Sequence, residues 1–453
     1  MEVRHFLTIG LFLFLSTSIN AENDTIRDKV IISKPLSNQE RHFDTFIPVE
    51  KEVNRLLDHY GITGASMAIV RDGKLVYAKG YGYADVKNDI KTMPQHQFRI
   101  ASVSKLITAV AIFRLIEANV LSLDQQVFGV GGILDKAIYN AHIYDDRIKS
   151  ITVRHLLTHS AGWNPRIKGD PMFNPLLVTE GNDIFVDANL TNLVSFALKQ
   201  GLQHYPGKES HYFNLGYCML GEIIAKVSGT SYEHYVQNTI LKPLQIKSMQ
   251  LGKNMKKDKL PNEVIYYDYN KRNSFTGNGK LVPRPYGGTP IELLGPSGGW
   301  VANIVDLMKL LNAIDGHDSS PDLLSKKSIK DMTKVTGGVM PMGWIAVGQN
   351  DDWLRTGTLA GTHALFLRKS NGVTYGILAN SSTERSHNFS KEMYTAIEKG
   401  IAKVNYWPNF NLFKSLKKEF FVLPKTSQPA PIKHDLYAKI PQPVPTSLLT
   451  KKN

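Results

Sequence analysis

The segment Ser102-Val103-Ser104-Lys105 carries residue types that could do covalent chemistry. In a helical backbone, positions three apart share a face, so Lys105 lies one turn above Ser102 while Ser104 points elsewhere. A serine at a helix start meets the positive end of the helix dipole, which favours a developing alkoxide. A lysine set in an apolar wall loses proton affinity, because burial disfavours its charged form. Such a lysine can act as base for a neighbouring hydroxyl. The pair therefore reads as nucleophile and base. Spacing alone does not decide it, since Ser415 and Lys418 have the same separation in a proline-rich tail. Serine here also suits an ordinary helix cap. What sets Ser102 apart is the run SVSKLITAVAIFRLIEA, from Ser102 to Ala118, which is apolar on most faces and reads as a buried helix. A lysine pointing inward from it costs several kcal/mol unless it finds partners.

The surrounding pattern shows what must position this segment. Residues 49–60 have helical spacing and stop at Gly61. Two apolar segments with alternation, 65–70 and 75–83, are joined by Arg71-Asp72-Gly73, whose Asp-Gly predicts a hairpin. Helical spacing recurs at 151–159, 190–200, 216–227, 231–240 and 304–314. The period then changes, with strands expected at 340–347, 353–356, 363–368 and 374–380 and a last helix over 385–404. Strands at both ends with helices between predict an α/β (α+β) fold. One antiparallel sheet is built from both ends of the chain, and an all-helical subdomain is inserted.

The chain has 453 residues, 42% hydrophobic and 21% charged, which fits one large globular domain or two modest ones. Residues 1–21 read as a secretory signal peptide: Arg4 and His5 precede an apolar run from Phe6 to Leu15 that is short for a membrane span. The expectation is a secreted or periplasmic protein. Residues 22–44 read as irregular, 45–405 as the folded domain and 406–453 as a basic, proline-rich tail. The single Cys218 permits no internal disulfide and reads as a buried small hydrophobe. Net charge is +14, and from Ile401 onward nine lysines face two acids, so the tail could touch an anionic surface or serve solubility alone. No nucleic-acid motif accompanies the charge. His155 and His159 have a helical i, i+4 spacing that can bind zinc, but they lack the glutamate of a zinc-protease motif and an obvious third ligand. Asn23, Asn189, Asn380 and Asn388 open glycosylation triplets, which matter in a eukaryotic host only.

Five segments occur in a fixed order across residues 45–400. They are FRIASVSK (98–105), ITVRHLLTHSAG (151–162), Tyr212-Phe213-Asn214 before a glycine-containing helix, Gly295-Pro296-Ser297-Gly298-Gly299-Trp300, and Arg355-Thr356-Gly357-Thr358. This ordered set resembles the serine β-lactamase and penicillin-binding-protein superfamily. It is most similar to the class C β-lactamase-like, esterase and D-aminopeptidase branch. The resemblance implies a β-lactamase/transpeptidase-like fold with the site between sheet and helical subdomain. It implies that Ser102 attacks a carbonyl while Lys105 and Tyr212 share its proton. Asn214 would bond the substrate amide or the Lys105 ammonium. Arg355, Thr356, Gly357 and Thr358 would line the substrate, with the N–H groups of Thr358 and Ser102 forming an oxyanion hole. Arg355 departs from the Lys or His usual there: it keeps the charge but releases no proton. No cofactor or metal is implied. An ester, a D-amino-acid peptide and a β-lactam remain open as substrates. The rival reading is a non-catalytic binding or assembly protein that keeps the fold.

Overall fold

In the computed structural model, which describes residues 36–38, 43–175 and 189–414, the hairpin predicted at Asp72-Gly73 is a two-residue turn. Both residues take positive φ, 46° and 74°, the geometry that matches the right-handed twist of paired strands. The expected signal peptide, most of 22–44 and the tail beyond 414 lie outside the described residues.

In chain order, α1 (Ile47–Tyr60) leads into β1 (Gly64–Arg71), β2 (Lys74–Asp85), β3 (Ile90–Lys91) and β4 (Gln97–Arg99). The helices α2 (Ser104–Glu117), α3 (Val153–Leu157), α4 (Leu190–Gln200) and α5 (Asn214–Ser228) follow. Next come β5 (Gln250–Leu251), β6 (Lys271–Asn273), β7 (Leu281–Pro283), β8 (Trp300–Asn303) and α6 (Ile304–Asn312). The chain closes with β9 (Ala346–Val347), β10 (Trp353–Leu359), β11 (Thr362–Arg368), β12 (Val373–Ala379) and α7 (Phe389–Ile401). Seven strands form one sheet in the order β3-β2-β1-β12-β11-β10-β9, antiparallel throughout. The first and last parts of the domain meet where β1 pairs with β12, Ala65 opposite Ala379. Between β4 and β5, helices and turns are the regular elements among the described residues, which is the helical subdomain.

Every residue of β11 and β12 is buried, as is nearly all of β1. Both faces of the sheet centre are therefore covered. Helix α7 packs on β11 and against α1, and α6 packs on β1 and β12. This explains why these strands read as continuous apolar runs more than as clean alternation.

Several boundaries differ from the sequence expectation. The strand expected over 340–347 is confined to β9, because Gly343 at φ 81° turns the chain against Leu106 and Ala109 of α2. Helix α7 starts at Phe389, not 385, since the Asn388 side chain accepts the Lys391 N–H and caps it. The packed body also runs past 405. Thr45 Oγ1 donates to the Tyr406 carbonyl at 2.6 Å, and Leu412 N donates to the Leu75 carbonyl at 2.8 Å. Asn380 is fully buried and donates to the Tyr83 and Ile265 carbonyls, so its triplet is a structural one. No helix among the described residues is long and apolar enough to cross a membrane.

Candidate active site

Three strand ends and one helix start converge on Ser102. Strand β4 delivers it, and β4 pairs with β8 in the register Arg99 opposite Val301. Continuing that register sets Ile100–Ser102 beside Gly298–Trp300. Strand β10 approaches from another side so closely that a Cβ on Gly357 would sit 2.4 Å from the Ile100 carbonyl oxygen and 3.0 Å from Ser102 N. A glycine is required there by space. Ser102 itself is not in the α-helix. It lies in a single 3-10 turn, Ala101–Val103, and α2 begins at Ser104. The preceding Ala101 takes φ 48°, a left-handed conformation that costs a non-glycine residue roughly 1–2 kcal/mol. The close packing of Gly357 and the register with β8 hold it there.

Lys105 is fully buried, and its ammonium finds three acceptors. Nζ donates to the Ser102 hydroxyl at 3.2 Å, to Asn214 Oδ1 at 2.7 Å and to the Ser297 carbonyl at 2.6 Å. No role for Ser297 was readable from sequence patterns. Its carbonyl is available because Gly295–Gly299 forms a wide turn against α2 and α5. Thr108 Oγ1 donates to the Pro296 carbonyl at 2.6 Å, and Gly221 of α5 leaves room for the Pro296 ring. Burial pushes the Lys105 pKa down, the nearby Tyr212 pulls it back up, and Arg355 lowers it again.

Tyr212 enters at the start of α5. Its segment is tied to the loop after α3, where His211 N donates to the His159 carbonyl at 2.8 Å and Phe213 N donates to His159 Nδ1 at 3.1 Å. The His159 ring lies against the Tyr212 ring with centroids 4.4 Å apart. His155 does a different job, its Nδ1 accepting the Thr152 N–H at 3.2 Å in a reciprocal cap of α3. The two histidines thus serve the protein frame separately.

The Tyr212 hydroxyl accepts a hydrogen bond from Arg355 Nη2 at 2.8 Å, and Lys105 Nζ lies 4.8 Å from its ring centroid. Burial alone would raise the phenol pKa. Arg355 and Lys105 outweigh it, with Ser102 adding to the effect, and bring the phenol down to about 8. At pH 7 about one tenth of such a group is ionised. Among the described residues, no carboxylate forms an ion pair with either cation, so both charges act to favour ionisation of the phenol.

Arg355 is engaged by the protein's own groups, the Tyr212 phenol among them. It is 1% exposed, and its Nε donates to the Ser102 carbonyl at 2.8 Å, with Nη2 on the same oxygen as well as on Tyr212. Its guanidinium is committed to the nucleophile's backbone and the phenol.

Asn214 and Asp170 form the opposite wall. Asn214 N and Nδ2 donate to Asp170 Oδ2 at 2.6 and 3.0 Å, which turns Asn214 Oδ1 to Lys105. Phe213 provides no side-chain cap for α5, so Asp170 caps that helix from a distant loop. Nothing local in the sequence marks Asp170, since its role depends on a contact across 44 residues. Thr356 is half-buried and Thr358 exposed. The Leu354 carbonyl accepts Ile345 N from the β9 side, so by strand parity the backbone groups of Thr356 and Thr358 also point off the sheet, away from β11. Cys218 is buried behind the site, and burial raises its thiol to about 12.

This arrangement offers a hydroxyl held by a buried ammonium, a phenol poised to ionise near neutral pH and strand N–H groups facing an open edge. That is equipment for acyl transfer.

Comparison with known proteins agrees with the geometry. The beta-lactamase family model matches residues 49–397. PbpX of Bacillus subtilis (strain 168), named as a penicillin-binding protein, is 28% identical over 361 residues, 79% of this chain and 80% of PbpX. Protein flp of Staphylococcus aureus (strain MRSA252) is 30% identical over 224 residues, 48% of this chain, and the match spans 41% of flp. Among solved structures, the octameric penicillin-binding protein homologue from Pyrococcus abyssi superposes with a TM-score of 0.59 at 26% identity, covering 77% of this chain and 75% of that one. The D-amino acid amidase from Ochrobactrum anthropi SV3 gives a TM-score of 0.61 at 20% identity, covering 80% and 99%, a likeness of fold.

Proposed function

The chain belongs to the beta-lactamase family, and on that premise we propose that it is an exported serine hydrolase. Ser102 forms an acyl-enzyme on an uncharged ester or amide. The observation that carries the reading is the Ser102–Lys105–Tyr212 geometry, with Lys105 Nζ 3.2 Å from the serine hydroxyl and the Tyr212 phenol held by Arg355. In the proposed step the Tyr212 phenolate takes the Ser102 proton as Oγ attacks the carbonyl carbon. Lys105 keeps its proton and holds both oxygens in line. The N–H groups of Ser102 and Thr358 receive the negative charge on the carbonyl oxygen. Tyr212 then returns its proton to the leaving alcohol or amine, and water repeats the sequence to free the acid.

The commitment of Arg355 supports uncharged acyl donors over peptides that end in a free carboxylate, because the guanidinium is turned inward. Proteins of the same fold include a D-amino acid amidase and a hydrolase with promiscuous acyltransferase activity, which agrees with ester or amide chemistry. Export rests on the pattern of residues 1–21. The test is hydrolysis of a short-chain p-nitrophenyl ester by the purified protein beside Ser102→Ala. The expected result is turnover that falls by roughly 10⁴-fold or more in the variant. Folded protein with no turnover on esters, D-amino-acid amides or β-lactams would overturn the reading in favour of a binding protein.

A further inference from the structure

The loop between α4 and α5 carries His204, Glu209 and His211. Tyr205-Pro206-Gly207-Lys208 is a tight turn, with Gly207 at φ 82° and Lys208 N donating to the Tyr205 carbonyl at 3.2 Å. The turn folds His204 back over His211, and the two rings stack with centroids 4.4 Å apart. The loop backbone is anchored on three sides. His204 N donates to the Gly162 carbonyl at 3.0 Å, Gly207 N to the Ser160 carbonyl at 2.8 Å and His211 N to the His159 carbonyl at 2.8 Å.

We propose that His204, Glu209 and His211 form a binding site for a divalent transition-metal ion of the zinc class, distinct from the Ser102 site. His204 Nδ1 lies 3.2 Å from Glu209 Oε1, His211 Nε2 lies 3.1 Å from Glu209 Oε2, and one donor atom from each residue falls within 4.8 Å of the others. Tetrahedral zinc with bonds of about 2.0–2.1 Å separates its ligands by about 3.3 Å; each imidazole already stands at about that distance from one of the two Glu209 oxygens, and a turn of the carboxylate would bring a single oxygen between them. Two imidazoles and a carboxylate suit zinc or cobalt and leave a fourth position for water. The histidine side chains are 24% and 20% exposed and Glu209 is 55% exposed, which leaves an entry path. The far nitrogen of His204 meets the Asn164 amide at 3.2 Å, an outer partner that must turn when the metal-bound ring carries its proton on Nε2. His211 directly precedes Tyr212, so a bound ion would pin the segment that presents the phenol.

The full chain, stripped with chelator, is titrated with Zn²⁺ by calorimetry and with Co²⁺ by visible absorption. The expected result is one ion per chain and a tetrahedral cobalt spectrum. His204→Ala, His211→Ala and the near-isosteric Glu209→Gln should each weaken capture by more than the roughly 10–100-fold typical of an outer-shell partner. Circular dichroism checks that each variant is folded. Absence of Zn²⁺ capture by folded wild-type protein would overturn the proposal. So would capture that survives undiminished in the folded His204→Ala/His211→Ala double variant.

Discussion

Arg99 and Arg355 are both 1% exposed, and each lies against a tyrosine. The Arg99 guanidinium carbon is 4.5 Å from the Tyr266 ring centroid, and that of Arg355 is 5.9 Å from the Tyr212 ring centroid. Their surroundings differ in charge. Glu263 stands 3.6 Å from Arg99 and accepts the Tyr266 hydroxyl at 2.7 Å. Burial and Glu263 together drive the Tyr266 phenol far above its ordinary range, with Arg99 opposing in vain. At Arg355 no carboxylate among the described residues intervenes, and a second cation, Lys105, is added. There the phenol titrates near 8. The same pair of residue types is therefore a fixed structural clamp in one place and, in the proposed mechanism, a proton acceptor in the other. The deciding factor is whether the arginine's charge is already matched.

Variants at the two places sharpen this contrast. The largest effect is expected from Tyr212→Phe, which should lower kcat/KM for ester hydrolysis by roughly 10²–10⁴-fold, the span of a positioned general base. The rise of kcat/KM with pH near 8 should vanish with it. Retention of that rise would assign the base elsewhere.

Glu263→Gln tests the structural clamp. It leaves Arg99 as an unmatched buried charge and should cost about 3–5 kcal/mol of stability, read as a lower urea midpoint. The pH profile of hydrolysis in the folded variant should stay where it is in the wild type. A displaced profile would mean that the two arginines are coupled.

Arg355→Met should have a smaller effect that depends on pH. Removing the cation raises the Tyr212 pKa from about 8 toward its ordinary 10. The base acts when deprotonated, so the rise in kcat/KM moves to higher pH. The loss should be about 10–100-fold at pH 7 and shrink as pH approaches 10. Arg355→Lys keeps the charge and should show the smallest change, under about tenfold. A loss in both variants that is equal at every pH would make Arg355 a packing residue.

The site was legible in the sequence to the extent that local patterns encode it. The Ser102–Lys105 spacing, the apolar run behind it and the ordered segments at 212–214 and 355–358 name residues that the fold brings together. Each is a short-range pattern, three or four residues of fixed type at fixed offsets. The hairpin at Asp72-Gly73 and helix α4 were equally local, because turn chemistry and helical period act over a few residues.

What the sequence left open depends on contacts between distant segments. Ser102 sits in a 3-10 turn and not in α2, where Gly357, 255 positions away, comes close to its backbone. Asp170 orients Asn214, and the Ser297 carbonyl takes the Lys105 ammonium, through long-range hydrogen bonds that no local pattern records. The inward turn of Arg355 is of the same kind: its position in β10 was readable, but its partners were set by where β4 ends and α5 begins. Residue type and spacing determined which groups could react. The tertiary structure decided which charges went unmatched, because electrostatic pairing depends on distance through space and not on distance along the chain.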